Sequence, residues 1–408
     1  MRSFNVLLLA IIVLFSSCND KVEEPNSPYV PIELSLKSKE LVKSSNVFGT
    51  QIFKEVLEVE DANKNVLISP LSVFQALAMT RNGAKETTLD EMNQVLAVQD
   101  FSSDVNIYQQ KLVNALLKAD NKFDLDIANS IWYRDGFEVL PDFIQTNQQY
   151  YNAEVTALDF SQGEAAKKTI NDWVDKQTRG KIPEIVKEVS SDHVMFLINA
   201  IYLYGEWQNS FDAKNTKSEL FYSESGEEQD VKMMHQTSSL RVGGNDIFSS
   251  VEMPYGNGHF NMMVLLPNEG KKVADIVDAM TDEAWDSWMQ NLVTSEVNLS
   301  FPKFKLEAEY KLKKPLMQMG MPTAFTGAAD FTGINPRGGI AISQVRHKTF
   351  MEVDEKGTEA AAVTSVEIRM TSADPSPKEF VVNKPFVFAI TERDTNTILF
   401  MGKMMMPQ

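Results

Sequence analysis

The side chains best suited to attack, shuttle protons or bind metals at neutral pH are few in this chain: His193, His235, His259, His347 and a single cysteine, Cys18. No two of the histidines stand at the three- or four-residue spacing that would put them on one helical face. There is no His-Glu-x-x-His either, so no metal site is predicted. A Gly-x-Ser-x-Gly turn and a Gly-x-x-x-x-Gly-Lys-Ser/Thr loop are both missing, so neither a hydrolase nucleophile nor a phosphate cradle is signalled. Ser300-Phe301-Pro302-Lys303 spells Ser-x-x-Lys, but Pro302 breaks the helical turn that would bring Ser300 and Lys303 together, and the stretch reads as a strand end. Carboxylate pairs leave no trace in so acidic a chain. The expectation is nonetheless of a protein that is not an enzyme and needs no cofactor.

A different kind of pattern is written in residues 353–371. After Gly357 the pattern has period two. One set is Thr358, Ala360, Ala362, Thr364, Val366, Ile368 and Met370, all small or apolar; the other is Glu359, Ala361, Val363, Ser365, Glu367 and Arg369, polar at four of six places. This is the pattern of a strand with one face in a core and one in water. Yet residues 371–379 hold two prolines and two serines and read as loop. Small side chains suit a segment that slides between two strands, since bulk would clash before any hydrogen bond formed. Gly357 supplies a hinge with an unrestricted backbone. The pattern alone fits a permanent strand or an Ala-rich helix equally well.

The elements that must position this segment are legible in outline. Residues 38–60 carry apolar side chains at three- and four-residue spacing, and Ser69-Pro70 begins a second helix that Asn82-Gly83 ends. Further helices are predicted near 86–97, 105–119, 141–151 and 164–178. Strands are predicted at 126–133, 193–204, 250–253, 260–266, 296–301 and 381–390 from their Val, Ile, Phe and Tyr content. Helices and strands interleave without strict alternation, which argues for one α+β domain.

The first residues read as an address. Arg2 precedes an apolar run at 6–15 that is short for a membrane span, so residues 1–17 are expected to be a cleaved signal peptide. Ser16-Ser17-Cys18 resembles a bacterial lipobox, with Cys18 acylated and no disulfide possible within the chain. Residues 18–37, with Pro25, Pro28 and Pro31, read as a tether reaching at most ~60 Å, and the domain as 38–408. The expected location is a bacterial membrane surface, periplasmic or cell-surface, with membrane contact through the lipid only. A formal charge of −17 excludes nucleic acid and heparin-like polymers, and the 105–125 segment offers only Lys111, Lys118 and Lys122 as cations.

Glu355-Lys356-Gly357-Thr358-Glu359-Ala360-Ala361-Ala362 resembles the hinge of inhibitory serpins, and it is not isolated. Asn65-Val66-Leu67-Ile68-Ser69-Pro70-Leu71-Ser72, Leu197-Ile198-Asn199-Ala200-Ile201-Tyr202 with Gly205-Glu206-Trp207, Phe301-Pro302-Lys303-Phe304, Asp330-Phe331-Thr332-Gly333, Asn383-Lys384-Pro385-Phe386 and Phe400-Met401-Gly402-Lys403 are similar to family motifs and colinear with them. The resemblance implies a serpin-like α+β fold of about three sheets and eight to nine helices, with an exposed reactive-centre loop at about 357–379. It further implies a monomer that acts as a suicide substrate: a serine or cysteine protease cleaves the loop, the loop enters the central sheet, and the covalent acyl-enzyme is trapped. Ser69, Ser72, Asn199 and His347 match the family's polar cluster beneath that sheet, and Trp207 falls near the point of insertion. Counting from Gly357 puts the scissile bond at Thr371-Ser372, with Met370 and Arg369 as alternatives; counting back from Asn383 puts it nearer Asp374. A non-inhibitory binding or carrier protein is the competing expectation.

Overall fold

The computed structural model describes residues 27–358 and 377–408. Among them the helices are α1 (Leu36–Val59), α2 (Pro70–Arg81), α3 (Glu86–Val95), α4 (Val105–Leu116), α5 (Pro141–Tyr151), α6 (Gly163–Gln177), α7 (Val273–Ala279), α8 (Asp282–Gln290) and α9 (Lys313–Met319). The strands are β1 (Val66–Ile68), β2 (Phe123–Arg134), β3 (Glu154–Leu158), β4 (Met195–Glu206), β5 (Lys217–Tyr222), β6 (Glu228–Gly244), β7 (Phe248–Pro254), β8 (Phe260–Pro267), β9 (Val293–Pro302), β10 (Phe304–Lys311), β11 (Arg346–Val353), β12 (Gly357–Thr358), β13 (Lys378–Val381), β14 (Phe386–Glu392) and β15 (Ile398–Met404).

Local chemistry sets the helix ends. Ser35 caps α1 by accepting from the Ser38 N–H, and Ser69 caps α2 by accepting from Ser72, with Pro70 in the first turn. Asn152 ends α5 in the left-handed region at φ 49°. The predicted strand at 381–390 is two: β13 ends at Val381 and β14 begins at Phe386, because Pro385 interrupts the ladder.

The strands form two sheets. A six-stranded sheet has the order β10-β11-β12-β4-β2-β3. The other runs β1-β15-β14-β8-β7-β6-β9-β13, with β5 on β6. The count expected from the sequence was about three. The larger sheet is in effect two arrays sharing β6, whose 17 residues pair with β5 at 228–233, with β9 at 233–242 and with β7 at 241–244. The main core, with Phe48, Phe74, Phe301 and Phe386 fully buried, lies between the sheets and α1 and α2. A second apolar cluster joins α6 to β2 and β4 through Trp132, Ile170, Val174, Ile198 and Ala200.

The ordered body begins before residue 38. Ser27 exchanges hydrogen bonds with Asn121 and accepts one from Asn257 Nδ2 at 3.1 Å. Tyr29 stacks on His259 at 4.2 Å and donates to Asp394, whose other oxygen accepts the Ile32 N–H at 2.8 Å. His259 and Glu392 are themselves fully buried and paired. Residues 27–35, within the stretch expected to be a tether, are thus docked along the body, while residues 18–26 lie outside the described residues. Tyr29→Ala is expected to cost about 1 kcal/mol, below the ~1.5–3 kcal/mol of a buried hydrogen bond to a charged group because this one is exposed to solvent. The midpoint of chemical denaturation checks it.

Candidate functional site

In the six-stranded sheet, β12 is a rung two residues long. Thr358 pairs with Val353 of β11 on one side and with Gly205 of β4 on the other; Gly357 pairs with Glu206. Both pairings are antiparallel, so β4 and β11 run parallel to each other with a slot between them. Among the described residues no ladder joins β4 to β11 directly. The backbones at the rung are close: a Cβ on Gly357 would sit 1.9 Å from the Gly205 carbonyl oxygen, and one on Gly205 would strike the Phe123 ring at 2.6 Å. The rung fits because Gly357 carries no side chain against the β4 backbone, while Gly205 leaves room for the Phe123 ring.

The turn before the rung is held from several sides. Asp354 accepts from the Lys356 N–H at 2.9 Å and from the Gly357 N–H at 3.3 Å. Trp207 donates its indole N–H to the Asp354 carbonyl at 2.9 Å and its backbone N–H to that of Lys356 at 2.7 Å. Glu355 accepts from Lys303 Nζ at 2.6 Å and from Thr216 Oγ1 at 2.7 Å. Burial pushes its carboxyl up, but those two donors outweigh it and hold the group below the usual carboxylate range. Beneath the rung, Thr358 is buried and its hydroxyl lies 2.7 Å from the Tyr255 hydroxyl, while Tyr255 stacks on Trp207 at 4.3 Å.

Along the slot floor the structure brings Ser69, Ser72, Asn199 and His347 into one network. His347 Nε2 accepts the Ser69 N–H at 2.9 Å, which places the ring proton of a neutral imidazole on Nδ1. Ser69 Oγ donates to the Leu399 carbonyl at 2.7 Å, and Ser72 donates to Asn199 Oδ1. Asn199 Nδ2 in turn donates to Asn129 Oδ1 at 2.7 Å and, at 3.5 Å, to Gln75 Oε1. Sequence reasoning did not single out Gln75 and Asn129. The available signal was their phase, since Gln75 stands one helical turn after Ser72 and Asn129 pairs directly with Asn199.

Where β4 and β11 begin, at the end of the slot away from the rung, a cavity of 310 Å³ is floored by Ser72, Asn199 and His347 and walled by residues 192–198 and 340–346. The hinge residues Glu359, Ala360, Ala361 and Ala362, the positions Arg369, Met370, Thr371 and Ser372, and Cys18 lie outside the described residues.

Burial pushes the His347 imidazole down from 6.5 to about 4. The unfolded chain therefore binds the extra proton first on acidification. The stability due to neutral His347 is complete above about pH 6.5 and is lost as the pH falls toward about 4. His347→Gln is expected to flatten that part of a stability-against-pH curve measured by denaturant unfolding.

A family model described as serpin (serine protease inhibitor) matches residues 43–407. An uncharacterised serpin-like protein of Thermococcus kodakarensis is 33% identical over 432 aligned residues covering 100% of both chains. Human serpin B8 is 35% identical over 376 residues, spanning 90% of this chain and 100% of its own. Among solved structures, the thermophilic serpin tengpin in its native state superposes with a TM-score of 0.83 at 32% identity, covering 94% of this chain and 97% of that one. Thyroxine-binding globulin in complex with thyroxine gives 0.81 at 29% identity, covering 90% and 99%.

Proposed function

Since this chain belongs to the serpin family, we propose that it is an inhibitor of serine or cysteine proteases that acts as a suicide substrate through residues 358–372. The supporting observation is the rung: Thr358 already pairs with both β4 and β11, and its side chain is turned into the core.

The small and apolar set at 360, 362, 364, 366, 368 and 370 has the parity of Thr358. If the rung is extended in the same register, a strand formed after cleavage carries Thr364 to the level of Asn199 and His347, six residues from each of Thr358's own partners, Gly205 and Val353. Val366, Ile368 and Met370 then come level with the residues around the 310 Å³ cavity. About a dozen residues would gain ladder hydrogen bonds worth ~1 kcal/mol each, against an ordering cost of ~1–2 kcal/mol per residue. Burial of the three large apolar side chains at ~1.5–3 kcal/mol each favours the inserted strand. The uncleaved form is then a kinetically trapped state.

In the reaction, the protease's nucleophilic oxygen or sulfur attacks the carbonyl carbon of Thr371. The bond to the Ser372 nitrogen breaks, that amine leaves with a proton, and an ester or thioester joins enzyme and inhibitor. Insertion then carries the enzyme away before water can attack. Incubation with chymotrypsin-, elastase-, trypsin-, subtilisin- and papain-like proteases should give a denaturant-stable band of the summed mass with at least one of them. Thr364→Arg should leave cleavage intact and abolish that band, because insertion would have to bury a charge beside Asn199 and His347. Cleavage by the whole panel without any shifted band would overturn the proposal. A melting temperature that does not rise on loop cleavage would favour a carrier role, such as the name of thyroxine-binding globulin states for that protein.

We place the protein outside the cytoplasm, anchored through acylated Cys18. Cys18→Ala should move it from the membrane pellet to the soluble fraction.

A further inference from the structure

The segment 178–194, which joins α6 to β4, roofs the slot on the face opposite His347. It is fixed on the β2–β4 side. Arg179 reaches Asp124 at 2.8 Å and Asp126 at 2.9 Å, and its guanidinium lies 4.6 Å from the Tyr202 ring centroid. Ile182, Ile185, Val186 and Val189 pack in the apolar cluster beneath α6. The same segment also reaches across to the other bank. Lys181 Nζ lies 4.9 Å from the Phe350 ring centroid on β11, and Lys187 Nζ lies 2.8 Å from Glu309 Oε2 on β10. The second oxygen of Glu309 takes Arg346 of β11 at 3.0 Å. Lys187 and Arg346 both line the 310 Å³ cavity, so the ionic cluster closes over it.

These contacts are made while the slot is held apart. At the rung, β4 and β11 are two strand spacings from each other, ~9–10 Å, and among the described residues no ladder joins them further along. Bringing the banks together by one spacing, ~4.8 Å, would shift Glu309 relative to Lys187 by more than the length of their hydrogen bond. An ion pair with this geometry belongs to a slot wide enough for a strand.

We propose that Lys187, Glu309 and Arg346 form a clasp that closes over the inserted strand and secures it, so that the roof segment contributes to keeping the trap shut. This rests on the strand-insertion reading above. Glu309 is suited to the role: burial pushes its carboxyl up, but Lys187 and Arg346 hold it below the usual range, so it stays charged at neutral pH.

The test compares the unfolding rate of the loop-cleaved protein at elevated temperature with that of the intact protein. In the cleaved form, Lys187→Ala and Glu309→Gln should each speed unfolding by about two- to fivefold, the range expected for a partly exposed ion pair. The double variant should be no faster than the faster single one, and 0.5 M salt should narrow the difference. The intact protein should change less. Equal effects on the intact and cleaved forms, or none on either, would overturn the clasp while leaving insertion standing. If cleavage of the parent protein brings no slowing of unfolding at all, the insertion reading fails and the clasp fails with it.

Discussion

The six-stranded sheet is one sheet only because of a two-residue rung. Without Gly357 and Thr358, the described ladder would divide into β10–β11 on one side and β4–β2–β3 on the other. The rung fits because a Cβ on Gly357 would strike the β4 backbone at Gly205 and Glu206. Strand edges that carry unpaired N–H and C=O groups are templates for another strand. In most sheets that is a liability, managed by charge or cover. Among the described residues the edges of β4 and β11 are joined only through the rung, and the sequence after it alternates in the phase of Thr358.

What lies under the slot follows from that constraint. If the gap admits a strand, as proposed, its floor cannot be sealed by large interlocking side chains alone, because every such contact would have to break. The floor is instead built of short polar side chains, Ser69, Ser72, Asn129 and Asn199, with His347 and Gln75, joined by hydrogen bonds that can be exchanged. Buried polar groups are costly only when unpartnered. At the rung end the support is of another kind, a run of stacked rings in which Trp207 lies on Tyr255 and Phe123 on Phe260 at 3.9 Å. That end keeps its shape, and the glutamate and aspartate of the hinge turn are tied to it through Lys303 and Trp207.

The same pole receives the N-terminal strap. Ser27 is bound to Asn121, which stands two residues before Phe123, and to Asn257, two residues after Tyr255. The docked segment 27–35 therefore leads away from the end of the slot where the rung sits.

The sequence by itself determined the periodic elements. The bounds 141–151 for α5 were readable because Pro141 starts it and Asn152 stops it, and β2, β4, β8 and β9 were readable from short β-branched and aromatic runs. The alternation after Gly357 could be read because period two is a local property. Tertiary structure decided the rest. The 17 residues of β6 show no single alternation, since the strand serves two arrays and its exposed face changes along its length. Nothing local announces that Tyr29 will find His259, that Lys187 will reach Glu309, or that Gln75 and Asn129 will join Ser72 and Asn199. The bonded or stacked partners among them are separated by 70 to 230 residues of chain. Their formation depends on sheet register and helix packing, which bring distant residues together only when the whole chain has folded.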